Sequence, residues 1–534
     1  MKRIIINTIL LVMALASALP MMGQGSDAVL RDKITEAVMK VYDEQIAQDP
    51  NDYNTLFARA HQHFYDGNYT AALADVNQAM LITPATDKEV RFDEHILRAR
   101  INDARQDYAS ELADLQLALA LQPKSLACTD LIAKANLKAG NLDAAEKAFK
   151  TILRAEAMNY DAMYGMALVE QARGNQAAAI EQAGKAVSLF RVEPQVYVNR
   201  ADIYARQGNI DAAVHDLIDG MSVGDGGNAA RRLFSLSDTH YDAVMSALNT
   251  IADKNPDASG VYRYLRANIA IQHNRFAQAL KELNVIKNNH LYDSPMVDFK
   301  AARCCLELAR YDQAIQLIDQ AIAQDQARPE FYLIKSRAAY YAGDGHNHAA
   351  AFEALDRCSA IVPQYVPMLI AKAELYAAQG NDSEALGYLN AALANDKGNP
   401  EALYLRARLF QRIGNDTLAA ADWNTMQLLG DEPFALKGLA QGAMGKDNDA
   451  FSWLNKITST NLPGGENFYY AAIFMASRGD NYKAMEYLGK ALELGYGSLH
   501  NLEHEELSAV NLKTLRHEAG FDLLVDKAMR NFSE

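Results

Sequence analysis

The sequence GNLDAA at residues 140–145 recurs as GNQAAA at 174–179 and as GNIDAA at 208–213, in steps of 34 residues. A shorter form of the pattern, Gly-Asn or Gly-Asp with Ala five residues after the Gly, begins at Gly67, Gly380, Gly414 and Gly479. Repetition at a fixed period of this length is typical of arrays in which every repeat is one small structural unit. The period therefore predicts a chain that grows along one axis.

Small residues recur at two further places in each repeat. With the turn Gly counted as position 15, position 8 is Ala in most repeats from Ala60 to Ala472, and position 20 is Ala in most repeats from Ala72 to Ala484. Small side chains let two helices approach closely, and Gly supplies the left-handed backbone that ends the first helix. Each repeat is therefore predicted to be two helices joined at position 15, with apolar faces that only the next pair can bury.

These features resemble the tetratricopeptide repeat (TPR) family, whose unit is a pair of antiparallel helices. The resemblance implies an all-α fold, a right-handed superhelical solenoid of helix pairs with capping helices at both ends. Thirteen pairs can be placed, with turns at Gly67, Gln106, Gly140, Gly174, Gly208, Thr239, Asn274, Ala309, His346, Gly380, Gly414, Gly445 and Gly479.

The predicted organisation follows from these turns. It comprises a signal peptide (1–25), an N-terminal capping helix (26–52), pairs 1–5 (53–224), a degenerate sixth pair (225–258), pairs 7–11 (259–430), pairs 12–13 (431–498) and a C-terminal cap (499–534). The sixth pair has Thr239 in place of the turn Gly and follows the Gly-rich run 220–227. That run is the best candidate for a hinge in the array.

The N-terminus reads as a targeting signal. Lys2 and Arg3 precede the largely apolar run 4–19, and small residues follow at Gly23 and Gly25. This is the layout of a secretory signal peptide, with cleavage expected after 23–25 or, alternatively, after 16–18. An uncleaved anchor is the other interpretation. No Cys lies nearby, so we expect a periplasmic or secreted protein that is not a lipoprotein.

Composition limits the partners. The 52 Lys and Arg residues against 67 Asp and Glu residues give a net charge of −15, which argues against binding nucleic acid through phosphates. A mean hydropathy of −0.20 predicts no membrane span after removal of the signal. The four cysteines, Cys128, Cys304, Cys305 and Cys358, lack metal spacing and are predicted to be buried apolar residues, although a Cys305–Cys358 bridge stays open.

Three motifs suggest chemistry only weakly. His500, Glu503 and His504 match H-x-x-E-H, which in zinc hydrolases places two His on one helical face. The run 224–229 has the spacing of a dinucleotide loop but follows a predicted helix instead of a strand. His346 and His348 form a third, poorer metal candidate. We therefore predict no catalytic residue, no metal and no cofactor.

The resemblance places the concave groove on the first helix of each pair, chiefly at positions 2, 5, 6, 9, 12 and 13. From the eighth pair onward these helices carry a basic and aromatic set, and the first pair carries an apolar one. The sets are Lys300, Arg303, Arg337, Tyr340, Tyr341, Tyr404, Arg408 and Arg412, and Phe57, His61, Phe64 and Tyr65. Arg recognises carboxylates and Tyr supplies rigid contact area, as in many binding hot spots.

The sequence thus predicts an exported, non-enzymatic scaffold that binds a protein or peptide in its groove, within an envelope-associated complex. A glycan-binding envelope protein is the alternative, although only two Trp residues are present. A zinc hydrolase built on His500, Glu503 and His504 is a less favoured alternative.

Overall fold

The computed structural model describes residues 38–223, 226–291, 293–343, 347–429, 435–459, 464–503, 512 and 515–533. The predicted signal peptide lies outside these residues. Within them the chain is helical, without a strand, so the all-α prediction is confirmed. No helix among the described residues is long and apolar enough to cross a membrane.

The helices follow the predicted pairs. They are α1 (38–48), α2 (Tyr53–Tyr65), α3 (Tyr69–Ile82), α4 (Lys88–Ala104), α5 (Tyr108–Leu121), α6 (Leu126–Lys138), α7 (Leu142–Ala155), α8 (Tyr160–Ala172), α9 (Gln176–Leu189), α10 (Pro194–Arg206), α11 (Ile210–Ser222), α12 (Gly227–Lys254), α13 (Ser259–Gln272), α14 (Phe276–Asn288), α15 (Pro295–Glu307), α16 (Tyr311–Gln324), α17 (Pro329–Tyr341), α18 (His348–Ile361), α19 (Val366–Ala378), α20 (Asp382–Asn395), α21 (Pro400–Arg412), α22 (Asp416–Leu428), α23 (Ala435–Ala443), α24 (Asp447–Thr458), α25 (Glu466–Ser477), α26 (Asn481–Glu493), α27 (Leu499–Glu503) and α28 (Phe521–Ser533). Short 3₁₀ turns cover Pro256–Ala258 and Leu515–His517.

The turn between the two helices of a pair has left-handed backbone at position 15. Gly67, Gly140, Gly174, Gly208, Gly380, Gly414, Gly445 and Gly479 have φ between 71° and 82°. Gln106, Asn274 and Ala309 adopt the same conformation, with φ of 61°, 53° and 55°. In the ninth pair the left-handed residue is Gly343, and the predicted turn residue His346 lies outside the described part of the chain. The turn geometry thus persists where the Gly is missing.

The small residues at positions 8 and 20 form the contact between the helices of a pair. Ala60 and Ala72 of the first pair are fully buried, and so are Ala267 and Ala279 of the seventh. Larger residues pack around these contacts. In the third pair, for example, Phe149 fills the space beside Ala133 and Ala145. Close-packed interiors tolerate added volume poorly, so these positions need small side chains.

The degenerate sixth pair has no separate turn. Its two helices merge into α12, which is interrupted by non-helical backbone at His240 (φ −133°, ψ 43°). The described residues fall into two compact units, one ending at Ala247 and the other beginning at Leu248, so the boundary lies inside the predicted degenerate pair. Residues 224–225 of the candidate hinge lie outside the described residues.

A recurrent ion pair joins the helices of several pairs. An Arg at position 7 of the first helix donates two or more hydrogen bonds to an Asp at position 23 of the second helix, over 2.6–3.0 Å. These pairs are Arg59–Asp75, Arg98–Asp114, Arg200–Asp216 and Arg406–Asp422. Two hydrogen bonds from one guanidinium fix its orientation on the carboxylate, which strengthens such pairs.

Side chains at position 7 also form hydrogen bonds with the second helix of the preceding repeat. Arg98 donates to Asn77 over 2.8 Å, and Arg406 donates to Asn390 over 2.7 Å. Lys335 and Lys372 donate only to the preceding repeat, to Asp319 and Asp356 respectively, each over 2.8 Å. We call these contacts the position-7 ladder. They tie neighbouring repeats together through half-buried charge.

The end of the unit that begins at Leu248 returns to its first pairs. Ser498 donates to the carboxylate of Glu307 over 2.7 Å, and the ring nitrogen of His500 lies 2.9 Å from the hydroxyl of Tyr311. A Cβ on Gly464 would lie 2.6 Å from the carbonyl oxygen of His273, so a larger residue would collide there. The C-terminal segment is therefore more than a cap on the last pair, because it also packs against the seventh and eighth pairs.

Replacing Ala309 with Gly should stabilise the fold. Ala309 holds a left-handed conformation that disfavours a Cβ by about 1 kcal/mol or more, while Gly adds a smaller entropic cost, so we expect a gain of about 0.5 kcal/mol. Chemical unfolding measures the change. The control is Ala378→Gly at the exposed end of α19, where helix propensity predicts a loss. A loss in both variants would contradict the turn assignment.

Candidate binding surface on the first helices

The basic residues predicted for the groove lie on the first helices α15, α17 and α21. Contacts between neighbouring first helices show that they share one surface. The Nζ of Lys300 on α15 lies 5.8 Å from the centre of the Tyr264 ring on α13, and Arg337 on α17 lies 3.8 Å from the carboxylate of Glu374 on α19. We call Lys300, Arg303, Arg337 and Arg408 the basic surface.

Lys300 is half-buried and Arg303 is exposed one turn further along α15. Burial lowers the pKa of Lys300, and the positive charge of Arg303 lowers it further. Among the described residues, neither side chain forms an ion pair or a hydrogen bond. Lys300 and Arg303 thus carry like charges on adjacent turns of α15, and no described carboxylate forms an ion pair with either of them.

The other basic residues differ in their contacts. Arg337 faces Glu374, whereas the half-buried Arg408 has no hydrogen bond or ion pair among the described residues. Arg412 lies at the end of α21, where it contacts Asp382 and donates to the carbonyl oxygen of Ala377. Arg412 therefore links neighbouring pairs, whereas Arg408 has no such contact among the described residues.

The three tyrosines of the predicted set are less accessible than expected. Tyr404 is only 1% exposed and packs against Trp423 at 5.3 Å between ring centres; burial raises its pKa to about 12. Tyr340 is also buried, with its ring edge-on to Tyr341. Tyr341 itself packs against His500 at 4.7 Å. Tyr404 is a core residue, and we correct its assignment to the groove.

The aromatic set of the first pair is brought together along α2. The ring of His61 lies edge-on to Phe57 at 4.8 Å and stacks on Tyr65 at 6.2 Å. Tyr65 is 70% exposed, whereas Phe64 packs into the core beside Val76. Burial lowers the pKa of His61 to about 4, and the charge of Arg100 contributes. This cluster therefore presents an uncharged aromatic row near neutral pH.

The motifs that suggested chemistry are placed differently from a catalytic site. His500 is buried against Tyr311 and Tyr341, while His504 and His346 lie outside the described residues. Within the described residues, no group of three or more His, Cys, Asp or Glu side chains could hold a metal ion. The cysteines are all buried and free, as predicted, and the Cys305–Cys358 bridge is absent.

Two features of the site were missed by the sequence analysis. The position-7 ladder has a sequence signal, since a basic residue at position 7 recurs with Asp sixteen residues later at position 23. The contact of the C-terminal segment with Tyr341 has no such signal, because it joins residues far apart in sequence. The ladder separates basic residues with a structural role from those that are left uncompensated.

Comparison with known proteins agrees with the repeat assignment. Two family models described as tetratricopeptide repeat match the chain, one at residues 344–409 and the other at 131–191, 166–221 and 264–329. These segments are similar to tetratricopeptide repeats, and proteins built from such repeats are generally non-enzymatic scaffolds that bind protein or peptide partners. No curated protein matches the sequence significantly.

Several solved structures share weak likeness with the chain. Yeast Tom70 is 13% identical with a TM-score of 0.39, over 83% of this chain and 96% of that chain. A thermophilic TPR protein of Thermus thermophilus is 20% identical with a TM-score of 0.32, over 35% of this chain and 98% of that one. YrrB, a TPR protein with an unusual peptide-binding site, is 12% identical with a TM-score of 0.26, over 36% of this chain and 96% of that one. Likeness at this level carries no argument about function.

The state of His61 should make stability depend on pH. The folded pKa of about 4 lies below the ordinary value of 6.5, so between these values the unfolded chain binds more protons and stability falls as pH falls. The unfolding equilibrium constant should therefore rise between about pH 7 and about pH 5. We expect that rise to be about tenfold smaller in His61→Phe than in the unmodified protein. Chemical unfolding of both proteins at both pH values measures this change.

The matched control for that experiment is His215→Phe, at a partly exposed His of the same compact unit. If this control flattens the pH dependence as much as His61→Phe does, the assignment of the effect to the half-buried His61 is wrong.

Proposed function

We propose that the chain is an exported, non-enzymatic scaffold that holds a peptide or protein partner on the basic surface. The observation that carries the proposal is the absence of a carboxylate beside Lys300, Arg303 and Arg408 within the described residues. Lys300 and Arg408 are half-buried, which makes an unpaired charge costly there, and a bound acidic ligand would supply the missing counter-charge. Arg and aromatic side chains are also the residue types that dominate binding hot spots.

Export is the second part of the proposal and rests on the sequence of residues 1–25. An exported scaffold of this size would act in the periplasm or outside the cell, as part of an envelope-associated complex. Fractionation of cells that express the full chain tests the location directly.

Neither alternative gains support from a specific contact. The Trp residues, whose large planar rings are well suited to stacking on a sugar, are both buried, at Trp423 and Trp453. For a zinc site at residues 500–504, His500 is buried, and no group of three or more His, Cys, Asp or Glu side chains among the described residues could hold a metal ion. The scaffold function is therefore the one to test.

In-cell crosslinking should capture the partner from the basic surface. A photo-crosslinking residue at Gln411, which follows Arg408 by three residues on α21, is expected to capture a defined protein partner. The same residue placed at Leu428, an exposed position on the second helix α22, is the control. Mass spectrometry of the crosslinked species reports the partner, and fractionation of the same cells reports the compartment.

Loss of the basic surface should weaken partner binding and so reduce that crosslink. We expect Arg303→Ala, Arg337→Ala and Arg408→Ala together to weaken partner binding by about tenfold or more, because each removes a donor to an anionic group. The matched control replaces the exposed cations Arg357, Lys397 and Lys446 by Ala, which changes net charge equally. If the partner binds the first triple variant with unchanged affinity, the basic surface is not the binding site.

A further inference from the structure

Most charges on the first helices of the unit that begins at Leu248 are compensated within the described residues. Arg263 and Arg266 both contact Glu282, at 3.0 and 2.9 Å. The basic side chains at position 7 end on carboxylates at 2.6–2.8 Å, as Lys335 does on Asp319 and Arg406 on Asp422. Half-buried cations of this unit thus normally have an acidic partner.

Like Arg408 on α21, the half-buried Lys300 departs from that pattern, and the exposed Arg303 lies one turn beyond Lys300 on α15. The two carboxylates on the same helix are engaged elsewhere, Asp298 with Lys287 and Gln324, and Glu307 with Ser498. No described carboxylate lies within ion-pair distance of either cation. The chain itself therefore leaves this pair of charges without a counter-charge.

The surroundings of Lys300 are aromatic. The ring of Tyr264 lies beneath its ammonium group at 5.8 Å, which gives a modest cation–π attraction. Phe299, the residue before it, stacks on Phe331 of the next first helix at 5.0 Å between ring centres. A half-buried ammonium group over an aromatic base, with a guanidinium one turn away, can bind a carboxylate from two sides.

We propose that Lys300, which lies over the ring of Tyr264, and Arg303, one turn further along α15, form a seat for a side-chain carboxylate of an acidic peptide segment. The planar fork of Arg303 matches a carboxylate, and the neighbouring rings can contact the methylene groups that carry it. A phosphate, which carries nearly twice the charge of a carboxylate, is the competing anion that the test below distinguishes. The proposal rests on the proposed function, since it names the chemistry that the basic surface recognises.

The test uses the full chain and two short labelled peptides, one alternating Glu and Ser and the other alternating Gln and Ser. Fluorescence anisotropy measures the affinity of each. We expect the Glu peptide to bind about tenfold or more tightly than the Gln peptide, with the difference shrinking as salt is raised. Equal affinity of the two peptides would overturn the proposal.

Variants locate the seat. Lys300→Gln and Arg303→Gln are each expected to reduce the preference for Glu by about fivefold or more. Lys397→Gln, an exposed cation in a loop of the same unit, removes the same charge and is expected to leave the preference unchanged. An equal loss in Lys397→Gln would mean that only net charge attracts the peptide, which contradicts the seat. Thermal unfolding of each variant shows that it is folded.

Two further outcomes are distinguishable. In the first, inorganic phosphate binds, Lys300→Gln abolishes that binding, and the Glu peptide is not preferred. The ligand would then be a phosphate instead of a carboxylate, and the proposal would be overturned. A partner captured at Gln411 without a preference for Glu would overturn the seat and leave the proposed function standing. Absence of capture at Gln411 would instead count against the proposed function.

Discussion

The constraint that organises this chain is the cost of holding a charge partly out of water. A half-buried cation stabilises the fold only where a carboxylate meets it with good geometry. At Arg200 and Arg406 this condition is met by an Asp on the second helix of the same pair. The position-7 ladder repeats this type of ion pair in several repeats. The placement of the charged side chains therefore depends on the geometry of the repeat. The same cost makes the half-buried Lys300 and Arg408 informative, because in the described part of the chain they lack the carboxylate that meets most cations of the first helices.

The apolar side of the repeat makes the ladder possible. Buried Ala residues such as Ala407 and Ala419 bring the helices of a pair close together, and at that separation Arg406 and Asp422 meet. A larger residue at either position would separate the ion pair as well as the helices. In the unit that begins at Leu248 the array is also held by its C-terminal segment, whose His500 packs against Tyr311. Local repeats and one distant contact together position the basic surface.

Much of the fold could be predicted from the sequence, because each repeat interacts mainly with its neighbours. The Gly and Ala positions indicated the helix pairs, and the substituted turns at Gln106 and Ala309 kept the expected geometry. The site was less predictable. The position of Tyr404 within its repeat predicted a place in the groove, whereas its side chain packs against Trp423 in the core. Nor could position show that His500 would cover Tyr341, since a contact between distant repeats leaves no periodic pattern.

Two kinds of cation lie on the first helices: those of the position-7 ladder, which are paired with carboxylates, and those without such a partner among the described residues, such as Lys300 and Arg408. Thermal unfolding of Lys300→Gln beside Arg406→Gln tests this distinction most directly. Removing Arg406 leaves the buried Asp422 unpaired, so the midpoint should fall by several degrees, consistent with a loss of about 2 kcal/mol. Removing Lys300 relieves an unpaired half-buried charge, so the midpoint should stay or rise. A fall in Lys300→Gln as large as that in Arg406→Gln would contradict the account.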